Sequence, residues 1–163
     1  NCASPSITQA PAAGTLIRAG ATTVTITVKD TANNQVTCTV NLTVQDTTPP
    51  VIRRVIASPN VLWPANHKMV PVRISVLATD ACCQVRSRIV SVRCNEVVNS
   101  TGDGNTSPDW EITGPLTLKL RAERAGKGSG RIYYITVQST DCAGNTTMGR
   151  TIVTVPHDQG SKR

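Results

Sequence analysis

The residues of this chain able to do more than pack are six cysteines, two histidines, a few clustered Asp and Asn, and two tryptophans. The cysteines stand at 2, 38, 82, 83, 94 and 142. A zinc site would want CxxC pairs or mixed Cys/His clusters, and neither occurs. An even cysteine count with almost no histidine predicts disulfides, hence an oxidising compartment: secreted, extracellular or on a cell surface. Asp80, Asp141 and Asn145 fall where strands are expected to end. The stretch "GDGNTSPDWE" adds Asp103, Asn105 and Asp109, with Glu111 close by and Asp46 and Glu96 as outliers. Clustered loop oxygens of this kind suit Ca²⁺, which takes six to eight oxygens without strict geometry. The spacing lacks the closing bidentate Glu of a calcium loop. Asp and Asn also build Asx turns and tolerate left-handed backbone, which competes with the metal reading. His67 and His157 lie in no G-x-S-x-G or H-E-x-x-H context, and "AGKGSG" lacks the spacing of a phosphate loop, so no enzyme is expected. Trp63 and Trp110 are candidates for stacking on sugar rings. With aromatics so rare, each competes as a core anchor.

The elements that position these groups are read from composition and period. Thr, Val, Ile and Ser crowd the chain, Phe is absent, and ten Pro and eleven Gly cut it into short apolar runs. β-Branched runs of this kind fit pleated, half-buried surfaces and predict an all-β chain. Only "LRAERAG", 120–126, hints at a helical period. The net charge of +7 is carried by scattered Lys and Arg. Without aromatics for base stacking it reads as a solvated basic surface, and nucleic acid is not an expected partner. Such a surface suits acidic glycans as well. No apolar run of membrane length occurs, so no membrane insertion is expected. With no signal peptide and no initiator Met, the chain reads as a piece of something longer.

Two stretches nearly repeat. "TITVKDTANNQVTCTVNLTV", 25–44, matches "YITVQSTDCAGNTTMGRTIVTV", 134–155, with Asp30 and Asn34 placed 111 residues before Asp141 and Asn145. "VQDTTPPVI", 44–52, marks a boundary, because two prolines cannot donate to a ladder. Four regions follow: 1–46, a Pro-rich linker 47–51, 52–156, and a polar tail 157–163. Strands are expected near 6–9, 14–18, 22–28 and 36–44. In the longer region they are expected near 52–57, 69–79, 88–93, 116–121, 131–139 and 148–155, with a hairpin loop at 125–130. The fold class is all-β: tandem immunoglobulin-like β-sandwiches, the first incomplete. Its half-sandwich must leave an apolar face and an unpaired edge, so the missing strands either lie upstream of this stretch or come from another chain by strand addition.

"GTLIRAGATTVTITVKDTANNQVTCTVNLTVQDTTPPVI" resembles the C-terminal half of a HYR (hyalin repeat) domain. It carries the V-x-D-x-x-x-N turn, a Cys four residues after the Asn and the closing D-x-x-P-P. "SPNVLWPANHKMVPV", "TDACCQV", the run from Gly102 to Tyr134, "DCAGNTT" and "VPHDQG" resemble an Ig-like module of secreted bacterial proteins. The resemblance implies an accessory piece for adhesion and for protein or carbohydrate contact, without catalysis. It also implies a Cys2–Cys38 bridge. Pairing within the second unit then leaves Cys82, Cys83, Cys94 and Cys142 with two cross-pairings, a vicinal bond being strained. Repeat placement favours Cys82–Cys142 with Cys83–Cys94. The expected function is a structural or adhesive module, a filament subunit if another protein subunit or the longer parent chain completes the half-domain. The alternative is a carbohydrate-binding accessory of a secreted hydrolase, with glycans as partners.

Overall fold

The computed structural model describes residues 4–96, 107–126 and 129–158, and these form ten β-strands with no helix among the described residues. The chain divides into two units, Asn1–Thr47 and Thr48–Arg163.

The first unit is one antiparallel sheet of β1 (Ser6–Ala10), β2 (Gly20–Lys29) and β3 (Gln35–Val44), in that order. Register sorts its two faces by chemistry. Val24 lies opposite Val40, Ile26 opposite Cys38, Val28 opposite Val36, and Ile7 opposite Val28. Residues opposite each other share a face, so one face is aliphatic. The other carries Thr23, Thr25, Thr27, Thr37, Thr39 and Thr43. Residues 14–18 do not form the expected strand. The N–H of Thr15 bonds the carbonyl of Ala12 (3.1 Å), and Gly14 takes φ 83°, so Pro/Gly turn chemistry prevails over β-branched content there.

The second unit packs two sheets. One has the order β4 (Val51–Ser58), β5 (Met69–Thr79), β8 (Thr117–Arg121), β7 (Trp110–Gly114). The other has the order β10 (Thr146–Pro156), β9 (Gly130–Thr140), β6 (Arg86–Cys94). Val72, Ile74, Leu118 and Leu120 of the first face Ile89, Tyr133, Ile135, Val137, Val153 and Val155 of the second in one buried core. Each such side chain contributes about 1.5–3 kcal/mol by leaving water. At one margin the chain after β4 crosses over: Leu62 N–H bonds Thr154 O (2.8 Å) and Thr154 N–H bonds Asn60 O (2.9 Å). Close approach of the sheets also needs Gly149, where a Cβ would stand 2.8 Å from Val55 Cγ2.

Strand β7 was not foreseen, being a five-residue edge strand that begins in the polar "SPDWEIT" stretch. Residues 120–126 are not helical, since β8 ends at Arg121 and residues 122–125 form no regular element. Nor is 125–130 a hairpin loop, because β8 and β9 belong to opposite sheets. Val51 already pairs with Thr79, which takes it out of the expected linker.

The two repeated hairpins share one register. Lys29 opposite Gln35, Val24 opposite Val40 and Gly20 opposite Val44 become, 111 residues on, Thr140 opposite Thr146, Ile135 opposite Thr151 and Arg131 opposite Val155. β1 joins β2 as β6 joins β9: Ser6 opposite Lys29, Arg86 opposite Thr140. The first unit therefore repeats the β6–β9–β10 sheet.

Candidate functional site

The hairpin turn is the first place where candidate residues meet. Asp141 Oδ1 accepts the N–H groups of Ala143 (2.9 Å) and Asn145 (2.8 Å), and Oδ2 accepts the Asn145 side-chain amide (2.8 Å). Gly144 supplies the left-handed step at φ 92°. In the first unit Asp30 holds Asn34 in the same way (2.9 and 2.8 Å), with Asn33 at φ 70° in the glycine's place. Burial disfavours the charged form of Asp141. The Asn145 amide and the turn N–H groups outweigh it, so its pKa lies below the ordinary carboxylate value. The Asn34 side chain does the same for Asp30.

Beside this turn, Asp80 Oδ1 accepts the N–H groups of both Cys82 (2.8 Å) and Cys83 (3.1 Å). This tight cap decides the disulfide. It leaves Cys82 exposed and bridges Cys83, not Cys82, to Cys142, with Cα atoms 6.1 Å apart. The favoured Cys82–Cys142 and Cys83–Cys94 pairs are therefore both corrected. Cys94 sits opposite Tyr133 while Arg86, three residues after Cys83, sits opposite Thr140. That is the far end of β6, roughly 25 Å away at strand rise. Cys38 is exposed on the first sheet, and its expected partner Cys2 lies outside the described residues.

The candidate calcium ligands fall at both ends of the second unit. Asp80, Asp141 and Asn145 work in turns at one end of the sandwich. Asp109 is buried at the opposite end, where Arg131 Nη1 donates to its Oδ2 (2.9 Å). Asp103 and Asn105 lie outside the described residues. Trp110 is partly buried and meets Tyr133 edge-on (centroids 6.4 Å apart), which makes it a core anchor. Trp63 is 47% exposed.

Asp109 belongs to a buried ionic cluster built around Arg131. Arg131, with no exposed surface, donates from Nε to Glu96 Oε2 (3.0 Å) and lies 3.6 Å from Glu123 Oε1. Glu96 Oε2 also accepts Ala125 N–H (2.9 Å), and Glu123 pairs with His67 Nδ1 (3.0 Å). Arg121 spans three strand ends by donating to the carbonyls of Pro108 (2.8 Å) and His67 (2.8 Å). The Tyr133 hydroxyl donates to Arg121 O (2.9 Å), and burial pushes its pKa up to about 12, against the pull of Arg131. Burial likewise raises the Cys94 thiol, whose Sγ donates to Glu96 O (2.9 Å). A thiol held protonated is a poor nucleophile. The cluster clamps the ends of β5, β6, β7, β8 and β9 together. Glu111, named beside the metal candidates, pairs with Lys119 on the surface (3.5 Å). Glu96, seen in the sequence only as an outlying metal candidate, is one of the arginine's main partners.

A third candidate surface is the aliphatic face of the first unit. Val153 and Val155 are fully buried, whereas the matching Leu42 is 42% exposed, and Val36 and Val40 on the same face are 66% and 51% exposed.

No protein-family model matches the chain, and no curated protein shows significant similarity to it.

The turns and the ionic cluster hold the fold together, while the aliphatic face of the first unit and the outer side of the β6–β9–β10 sheet carry exposed side chains.

Proposed function

We propose that the protein is a non-catalytic, extracellular structural or adhesive module that docks through the aliphatic face of its first unit. One observation carries this reading. The first unit repeats the β6–β9–β10 sheet in register, and the face buried in the second unit is the face left open in the first. In the second unit that face is covered by the opposing β4–β5–β8–β7 sheet. What the first unit lacks is therefore a facing layer. Docking is sheet on sheet, about 10 Å apart, rather than addition of an edge strand.

The strand order of the second unit, first–second–fifth–fourth over third–sixth–seventh, supports the Ig-like reading. The HYR resemblance of the first unit agrees with it. The Cys83–Cys142 bridge fits an oxidising compartment.

In a solution of the pure chain, the available partner is a second copy. Arg18 and Lys29 balance Asp30 and Asp46 in residues 1–47, so two first units stack without net repulsion, while the +7 resides in the rest. Two such faces bury on the order of 1,000 Å² at strand spacing, the lower bound for a specific interface. The contact is weak and reversible. Cys38 occupies the place of Gly149, so the docking sheet must present a small residue opposite it.

Dye binding tests the reading. At dilution the chain binds 8-anilinonaphthalene-1-sulfonate, and Val40→Glu removes the binding. A dilute wild-type chain that binds no dye would sink the proposal.

A further inference from the structure

We infer that the outer face of the β6–β9–β10 sheet is a binding surface for a linear acidic polysaccharide. The three strands contain no Asp or Glu. Their outward positions carry Arg86, Arg88, Arg93 and Arg150, all exposed. Among the described residues no carboxylate pairs with these four. Arg88 donates only to the side chain of Gln138 (3.1 Å), which holds it along the sheet. Four unneutralised guanidinium groups on one face form a positive field.

Shape and spacing narrow the ligand. Arg86, Arg88 and Arg93 lie along β6, opposite Thr140, Gln138 and Tyr134. That row spans about 20 Å at strand rise, too long for a small anion and suited to an extended polymer. Arg93 and Arg150 line a groove of about 480 Å³ together with Val90, Ser91, Tyr134, Thr136 and Met148. Hydroxyls and one half-exposed tyrosine ring suit sugar rings. A single aromatic gives no run of stacking platforms, which single-stranded nucleic acid would want. Guanidinium forks match carboxylates bidentately, so a polyuronate fits. This surface is independent of docking through the first unit.

Calorimetric titration with polygalacturonate at low ionic strength tests the inference. Neutral dextran and a single-stranded oligodeoxynucleotide serve as comparison ligands. The wild-type chain binds polygalacturonate, does not bind dextran, and binds the oligonucleotide more weakly. Replacing two exposed charge contacts in Arg93→Ala/Arg150→Ala lowers affinity about tenfold and reduces its salt dependence. Arg73→Ala/Lys119→Ala, an equal loss of charge on the opposite sheet, changes affinity less than about twofold. Three outcomes would overturn the inference: no binding of polygalacturonate, an equal loss in both double variants, or oligonucleotide binding as tight as that of the glycan.

Discussion

Asp141 and Asn145 form a closed clamp, the carboxylate accepting both the backbone N–H and the side-chain amide of the asparagine four residues on. Asp30 and Asn34 repeat it in the first unit. In both places the pair turns a hairpin in a fixed register. Since a shift of one residue would move every side chain to the other face, this turn decides which face of each sheet is aliphatic.

The clamp implies a dependence on acid. Both carboxylates have folded-state pKa values below the ordinary 3.8, so their contribution is complete above that value and is lost as pH falls through the lower folded one. Stability should hold steady from neutral pH to about 5 and decline below about 4. In the variant Asp30→Asn/Asp141→Asn the acid limb of a stability-against-pH curve should flatten. An unchanged limb would show that the turns contribute nothing to it.

Arg131 should be the least replaceable side chain. Arg131→Met leaves Asp109, Glu96 and Glu123 buried around an apolar chain, and costs about 3–5 kcal/mol or prevents folding. Arg131→Lys keeps the charge but loses the fork, and should fall in between. Urea unfolding of the two variants checks the order. Equal stability of Arg131→Met and wild type would contradict the clamp.

Tyr133 gives an alkaline signature. Its raised pKa means that deprotonation favours the unfolded chain, so stability should fall as pH rises from about 10 towards about 12. Tyr133→Phe leaves the Arg121 carbonyl without its donor and should cost about 1–3 kcal/mol. Ultraviolet titration of the tyrosines in wild type and variant follows this directly.

The disulfide is distinguished by substitution, because Cys82 and Cys83 share any proteolytic peptide. Cys83→Ala should break the bridge and cost about 2–4 kcal/mol for a closed loop of 59 residues. Cys82→Ala should leave Cys142 blocked to thiol reagents. A reactive Cys142 in Cys82→Ala and not in Cys83→Ala would reverse the assignment.

Much of this was legible in the sequence. Alternating β-branched runs located nine of the ten strands to within a few residues, and the Pro-Pro step marked the unit boundary. What escaped depended on long-range geometry. Nothing local says that Asp80 caps both cysteines and leaves Cys82 outward, or that Cys94 ends a strand whose start neighbours Cys83. β7 was hidden because five residues at an edge carry little period. The sequence also suggested a missing edge strand; the matching registers of the two hairpins point to a missing facing layer.

That facing layer is the central claim, and sedimentation velocity across a wide concentration range tests it most directly. Wild-type chain should shift reversibly from monomer towards dimer as concentration rises, and Val40→Glu/Leu42→Glu should remain monomeric with its second unit folded. A wild-type chain that stays monomeric at every concentration, or a double variant that associates as the wild type does, would contradict docking through the aliphatic face.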